Sequence, residues 1–126
     1  MNVLLDTCAL VALARGELPE DATAALAGAP EAHVSIVSPW EVAIKAAAGR
    51  LRLTLPPFEW FNALIERYSL REIQLDARIA CAAAGLPPIH RDPFDRILVA
   101  LAQTQALTVL TSDKNIPKYE GVKTLW

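Results

Sequence analysis

Asp6, Glu41, Asp92, Asp95 and Asp113 stand where a carboxylate can do chemistry. Asp6 closes the apolar run Asn2-Val3-Leu4-Leu5, Asp113 follows the β-branched run Leu107-Thr108-Val109-Leu110-Thr111, and the other three sit where loops turn into helices. Singly, each has a structural explanation. Asp92 before Pro93 is a helix N-cap with proline at the first helical position. Asp95 falls in a first turn, where the helix dipole favours negative charge, and Glu41 completes an S-x-x-E capping box begun by Ser38. Asp6 can cap the helix it precedes, and Asp113 can be a turn residue. Jointly they suggest more. Carboxylates converging on one crevice repel one another at low effective dielectric, and they coexist in ionised form only with divalent cations. Oxygen ligands without a cysteine or histidine cluster suit Mg²⁺ or Mn²⁺ and not zinc. A hard cation so held handles phosphate: it polarises a phosphoryl oxygen and lowers the pKa of an attacking water.

The elements that must position these acids can be read along the chain. Asn2 to Asp6 has the profile of a central strand buried on both faces of a parallel sheet. A short helix follows from Thr7 to Arg15, with Ala9, Leu10, Leu13 and Ala14 inward and Gly16 at its end. A second helix spans Pro19 to Ala29, and His33 to Val37 is the second strand candidate. Ser38-Pro39-Trp40-Glu41 opens a helix that runs to Gly49. Leu51 to Leu55 is extended until Pro56-Pro57 stops it. Phe58 to Tyr68 is an amphipathic helix with Phe58, Phe61, Leu64, Ile65 and Tyr68 on one side. Leu70 to Leu75 is a third strand, and Asp76 caps a helix through Ala84. The helix opened by Asp92 carries Phe94, Ile97, Leu98, Leu101 and Gln105 as a stripe. Val122 to Trp126 is a last strand at the edge. This alternation predicts a three-layer αβα fold with a central, mostly parallel sheet of about five strands, in one domain over 1–126. In such sheets the ligand crevice lies beyond the carboxyl ends of the strands at the switch point of strand order, and the acids lie at or near that edge.

The chain has 126 residues, enough to bury about two thirds of its extended surface on folding. With 12 Lys and Arg against 14 Asp and Glu, its net charge of -2 gives no overall positive field to recruit nucleic acid. Binding of that kind needs a local basic rim or a bound metal. Cys8 and Cys81 fall in apolar helical stripes and read as buried free thiols, which favours a reducing cytoplasm. No run reaches the roughly twenty apolar residues of a membrane span, and no signal peptide is read at the start.

At these residues the sequence resembles the PIN-domain ribonucleases, most closely the VapC-type toxins of bacterial toxin–antitoxin pairs. The resemblance is carried by Leu4-Leu5-Asp6-Thr7, by Ser38-Pro39-Trp40-Glu41-Val42-Ala43-Ile44-Lys45, by His90-Arg91-Asp92-Pro93-Phe94-Asp95-Arg96 and by Thr111-Ser112-Asp113. It implies Mg²⁺-dependent (or Mn²⁺-dependent) endonucleolytic cleavage of RNA, with Asp6, Glu41, Asp95 and Asp113 as the acidic metal-binding quartet. Asp6 and Asp95 would hold the principal ion and Glu41 and Asp113 complete or orient its shell. It also implies a homodimer and a cognate VapB-type antitoxin, for which Phe58, Trp60, Phe61 and Leu64 are one candidate surface. Asp92 is an accessory candidate that either joins the metal site or only caps its helix. Thr7, Ser38, Thr111 and Ser112 neighbour the acids and can hydrogen-bond them or serve as caps and turns. Arg91, Arg96, Lys45 and Lys114 can meet RNA phosphates or pair with carboxylates. His90 can position substrate or be structural, and Trp40 reads as packing or interface surface.

Two other readings fit a strand-terminal acid. An aspartyl-phosphate phosphatase places a second Asp two residues on, where this chain has Cys8. A phospho-receiver module needs an acid pair, an acceptor Asp and a later lysine in a pattern this chain lacks.

Overall fold

The computed structural model describes all of residues 1–126. In chain order the elements are β1 (Val3–Leu5), α1 (Thr7–Arg15), α2 (Glu20–Gly28), β2 (Ala32–Ser35), α3 (Val37–Ala47), α4 (Pro57–Tyr68), β3 (Arg71–Ile73), α5 (Ala77–Ala84), α6 (Pro93–Gln105), β4 (Thr108–Leu110) and β5 (Lys123–Leu125), with a 3₁₀ turn at Ile116–Lys118 before β5. The strands form one sheet in the order β3-β2-β1-β4-β5. Every pairing is parallel.

The sheet is enclosed on both faces. Val3, Leu4 and Leu5 are each 0 % exposed, which is why the sequence of β1 shows no polar alternation. Val3 and Leu5 pack with Leu10, Leu13, Val42, Trp60, Phe61 and Leu64 on one side. Leu4 and Val109 pack with Ile79, Leu98, Leu101 and Ile116 on the other. The chain lays down β1, β2 and β3 outward in one direction, then returns with β4 on the far side of β1. The switch point is therefore the gap between the carboxyl ends of β1 and β4, where neighbouring connections diverge and leave a crevice.

Several local expectations are corrected. Helix α3 begins at Val37, so Ser38 and Glu41 lie inside it and form no capping box. The reason is one turn upstream: the Ser35 hydroxyl already accepts the Val37 N–H at 3.2 Å. Cys8 and Cys81 are exposed, not buried. Cys81 lies midway between the inward Ile79 and Ala83, about 200° around the helix from each. In α1, Thr7 joins Ala9, Leu10 and Leu13 on the buried face while Ala14 is exposed. In α4 the buried face is Trp60, Phe61 and Leu64. Phe58, two positions from Trp60, is 73 % exposed, so of the proposed partner surface only Phe58 is open to solvent.

Arg96 fastens the α5–α6 connection. Its Nη1 donates to the carbonyls of Pro87 and His90, and its Nη2 to those of Ala83, Ala84 and Leu86. These include orphan carbonyls at the end of α5, which a helix cannot satisfy internally. Arg96 therefore pairs with no carboxylate and is held away from the role of a phosphate contact. Arg96→Ala is expected to lower unfolding stability by about 2–3 kcal/mol, because several charge-assisted bonds are lost at partly solvated carbonyls; chemical denaturation checks this.

Candidate active site

The carboxyl edge of the sheet gathers the acids. Asp6 follows β1 and caps α1, its Oδ1 accepting the Ala9 N–H at 2.8 Å. Its other oxygen, Oδ2, accepts the hydroxyl of Thr111, the residue after β4, across the switch point. The Thr111 oxygen in turn accepts the Asp113 N–H at 2.9 Å, so one hydroxyl ties the ends of β1 and β4 together. Asp113 Oδ1 accepts the N–H groups of Asn115 (2.7 Å) and Ile116 (3.1 Å), shaping the turn that carries it.

Glu41 enters from α3, buried at 8 % exposure. Its Oε2 meets Lys45 Nζ at 2.8 Å one helical turn on, while its Oε1 is buried with no hydrogen-bond partner. Asp95 enters from the first turn of α6. Its Oδ2 is 3.1 Å from His90 Nε2, which also lies 3.0 Å from Asp113 Oδ2. Asp92 caps α6 through the Phe94 N–H at 2.9 Å.

The electrostatics are those of acids crowded without enough positive charge. Burial, with repulsion from Asp113 and Glu41, raises the Asp6 pKa to about 6 despite the bonds from Thr111 and Ala9. Burial and the charge of Asp92, with Glu41 and Asp6 adding, raise Asp95 to about 7. Burial would also raise Asp113, but hydrogen bonds from His90, Asn115 and Ile116 outweigh it and its pKa is lowered. For His90, burial pulls the pKa down, yet the bond to Asp113 and the surrounding acids raise it overall.

Asp6 thus feels the charges of Asp113 and Glu41, and Asp95 those of Glu41 and Asp6, while the ligand atoms that lie within 4.8 Å of one another are those of His90, Asp95 and Asp113. Among the neighbours, Thr111 reaches an acid, whereas Thr7 donates instead to Ser38 Oγ at 3.2 Å and locks α1 to α3. Ser112 is exposed, with no hydrogen bond to any of the acids. Lys45 pairs with Glu41, and Arg91 and Lys114 are exposed. Trp40 is 57 % exposed and meets Phe94 edge-on, ring centroids 5.2 Å apart, beside Glu41 and Asp95. The central place of His90 between two acids is not visible in the sequence, where its only signal is its position just before the Asp92 cap.

A search of protein-family models matches the PIN domain over residues 3–122. The chain belongs to the PIN domain family. Among curated PIN-domain relatives, Ribonuclease VapC22 of Mycobacterium tuberculosis is 28 % identical over 108 residues, covering 83 % of this chain and 82 % of that one. VapBC2 from Rickettsia felis, solved bound to a DNA fragment from its promoter, superposes with a TM-score of 0.72 at 12 % identity, over 99 % of this chain and 98 % of that one. A toxin–antitoxin complex from Klebsiella pneumoniae gives 0.67 at 24 % identity, over 95 % and 94 %. At those identities the structural likeness speaks to the PIN fold alone.

Proposed function

We propose that this PIN-domain chain is a metal-dependent endoribonuclease, the toxin of a VapBC-type pair, acting in the cytoplasm as a single domain over 1–126. The observation that carries this is the mutual repulsion of carboxylates at the switch point, Asp6 feeling Asp113 and Glu41, and Asp95 feeling Glu41 and Asp6. The donor set fits a hard divalent ion: oxygen ligands, two carboxyls lifted to pKa values of about 6 and 7, and a buried Glu41 Oε1 without a partner. Asp6, Glu41, Asp95 and Asp113 would hold Mg²⁺ or Mn²⁺. Such an ion, when bound, polarises a phosphoryl oxygen and makes water a nucleophile near neutral pH.

The chain's own groups supply the rest. Thr111 and the Ala9 N–H fix both oxygens of Asp6, so that this carboxylate needs no reorganisation when charge develops beside it. Lys45 offsets part of the Glu41 charge from outside the cluster, and the helix dipole at the start of α6 favours Asp95 in its ionised form. The relative named Ribonuclease VapC22 supports RNA as substrate, and the VapBC2 structure supports a VapB-type antitoxin as partner. A second copy of this chain is proposed as the other partner. No helix is long and apolar enough to cross a membrane.

The test is cleavage of labelled total RNA. Endonucleolytic fragments are expected with Mg²⁺ or Mn²⁺, none with excess chelator, and no hydrolysis of a generic phosphomonoester. Phosphomonoester turnover without RNA nicking would establish the phosphatase reading instead, and neither activity would favour a binding module.

A further inference from the structure

We infer that His90 is a positioning residue for the acidic site and not one of its ligands. This rests on the proposed ion site. His90 Nε2 and oxygens of Asp95 and Asp113 lie within 4.8 Å of one another, which on distance alone looks like a three-ligand metal centre. The hydrogen bonds favour a clamp over a ligand. His90 Nδ1 faces the Asp92 N–H at 3.1 Å and must accept from it. Nε2 faces Asp113 Oδ2 at 3.0 Å and Asp95 Oδ2 at 3.1 Å, and the carboxylate of Asp113 only accepts. With Nδ1 accepting, the network fits the neutral ring with its hydrogen on Nε2, and a nitrogen donating to carboxylates has no lone pair facing an ion.

The ring is held in this attitude by groups outside the cluster. The His90 N–H donates to the Tyr119 hydroxyl at 2.8 Å, and that hydroxyl donates to the Pro87 carbonyl at 3.2 Å. The His90 carbonyl accepts from Arg96 Nη1 at 3.1 Å. Tyr119 is 2 % exposed, so the anchor is a core residue. His90 thus fixes the spacing of two like charges, one from α6 and one from the turn after β4, that would otherwise repel one another apart. Asp113 is restrained on both oxygens, while Asp95 is restrained by His90 through Oδ2 alone.

The test uses Mn²⁺ alone as the probe, followed by the loss of the free-ion EPR signal on titration into chelator-stripped protein. His90→Ala is expected to weaken Mn²⁺ binding by about 10–100-fold, the usual cost of removing a group that orients a metal ligand. His90→Gln, whose amide nitrogen reaches the Nε2 position, is expected to recover most of that loss, and His90→Asn, which ends one bond short, is not. Pulsed EPR of the Mn²⁺-loaded wild type is expected to show no directly coordinated ¹⁴N. Circular dichroism melts establish that each variant is folded, and the wild-type spectrum decides the question even if none is. A directly bound ¹⁴N, or unchanged affinity in His90→Ala, overturns the inference while leaving the ion site intact. A wild type that binds no Mn²⁺ overturns the ion site and this inference with it.

Discussion

Asp6→Asn and Asp95→Asn are each expected to cut the rate of RNA cleavage by about a thousandfold, since charge stabilisation by a bound cation is worth several kcal/mol and each 1.36 kcal/mol is tenfold. The substitution is chosen so that folding is not at issue. Asparagine keeps an oxygen for the Ala9 N–H, and it is as good an N-cap as aspartate. Its amide nitrogen can donate to Thr111, whose hydroxyl then points its proton elsewhere. At position 95 the asparagine oxygen still accepts from His90 Nε2. What is removed in each case is one unit of negative charge. Single-turnover cleavage of a labelled RNA, beside a thermal melt of the same preparation, reads both quantities. Full activity in either variant, with a normal melt, would remove that residue from the site.

The frame that brings these residues together was legible because burial on both faces leaves a distinct mark. Val3-Leu4-Leu5 and Thr108-Val109-Leu110 are runs without a polar break, as central parallel strands must be. The acids that end them follow directly. Strand order was not legible, because runs of similar apolarity do not say which pair is adjacent. Glu41 was placed near the site for a reason the structure replaces: Ser38-Pro39-Trp40-Glu41 matches a capping box locally, but Ser35 has already taken the Val37 N–H. That earlier start releases both side chains, Ser38 to Thr7 and Glu41 to the acid cluster. The exposure of Cys81 is hidden for a different reason. Alanine-rich helices such as Ala77–Ala84 present little contrast between faces, so Cys81 among alanines reads inward or outward equally well.

The least legible part was the long-range polar pairing. Thr111 and Asp6 are 105 positions apart, and His90 and Asp113 are 23 apart. Nothing in the local spacing distinguishes a threonine that ends a strand from one that clasps its neighbour's acid. Arg96 shows the converse. A basic residue directly after an acid in the sequence suggests charge pairing or phosphate contact, yet its guanidinium satisfies the backbone where α5 stops. Loop carbonyls with no helical partner are a stronger claim on a rigid fork of donors than an exposed carboxylate is.

The same crowding that suits the acids to a cation should make the ion-free protein less stable as pH rises. Asp6 has a pKa of about 6 in the fold against 3.8 for an ordinary aspartate, so between these limits the folded state holds more protons than the unfolded one. Stability from this group is fully present below pH 4 and is lost as pH climbs through 6, the reverse of an ordinary ion-paired aspartate. Asp95, at about 7, acts in the same direction and carries the decline toward neutrality. For Asp6 alone the loss is about 3 kcal/mol, at 1.36 kcal/mol per unit of pKa. Asp6→Asn cannot ionise and escapes it. In chelator the two proteins are expected to melt together near pH 4, whereas at pH 8 the variant should melt about 10 °C higher. Mn²⁺ at a hundred times its dissociation constant should then return about 2.7 kcal/mol to the wild type and little to the variant. Parallel melting curves at both pH values would mean that Asp6 is not held against its own charge, and the case for an ion at the switch point would lose its electrostatic ground.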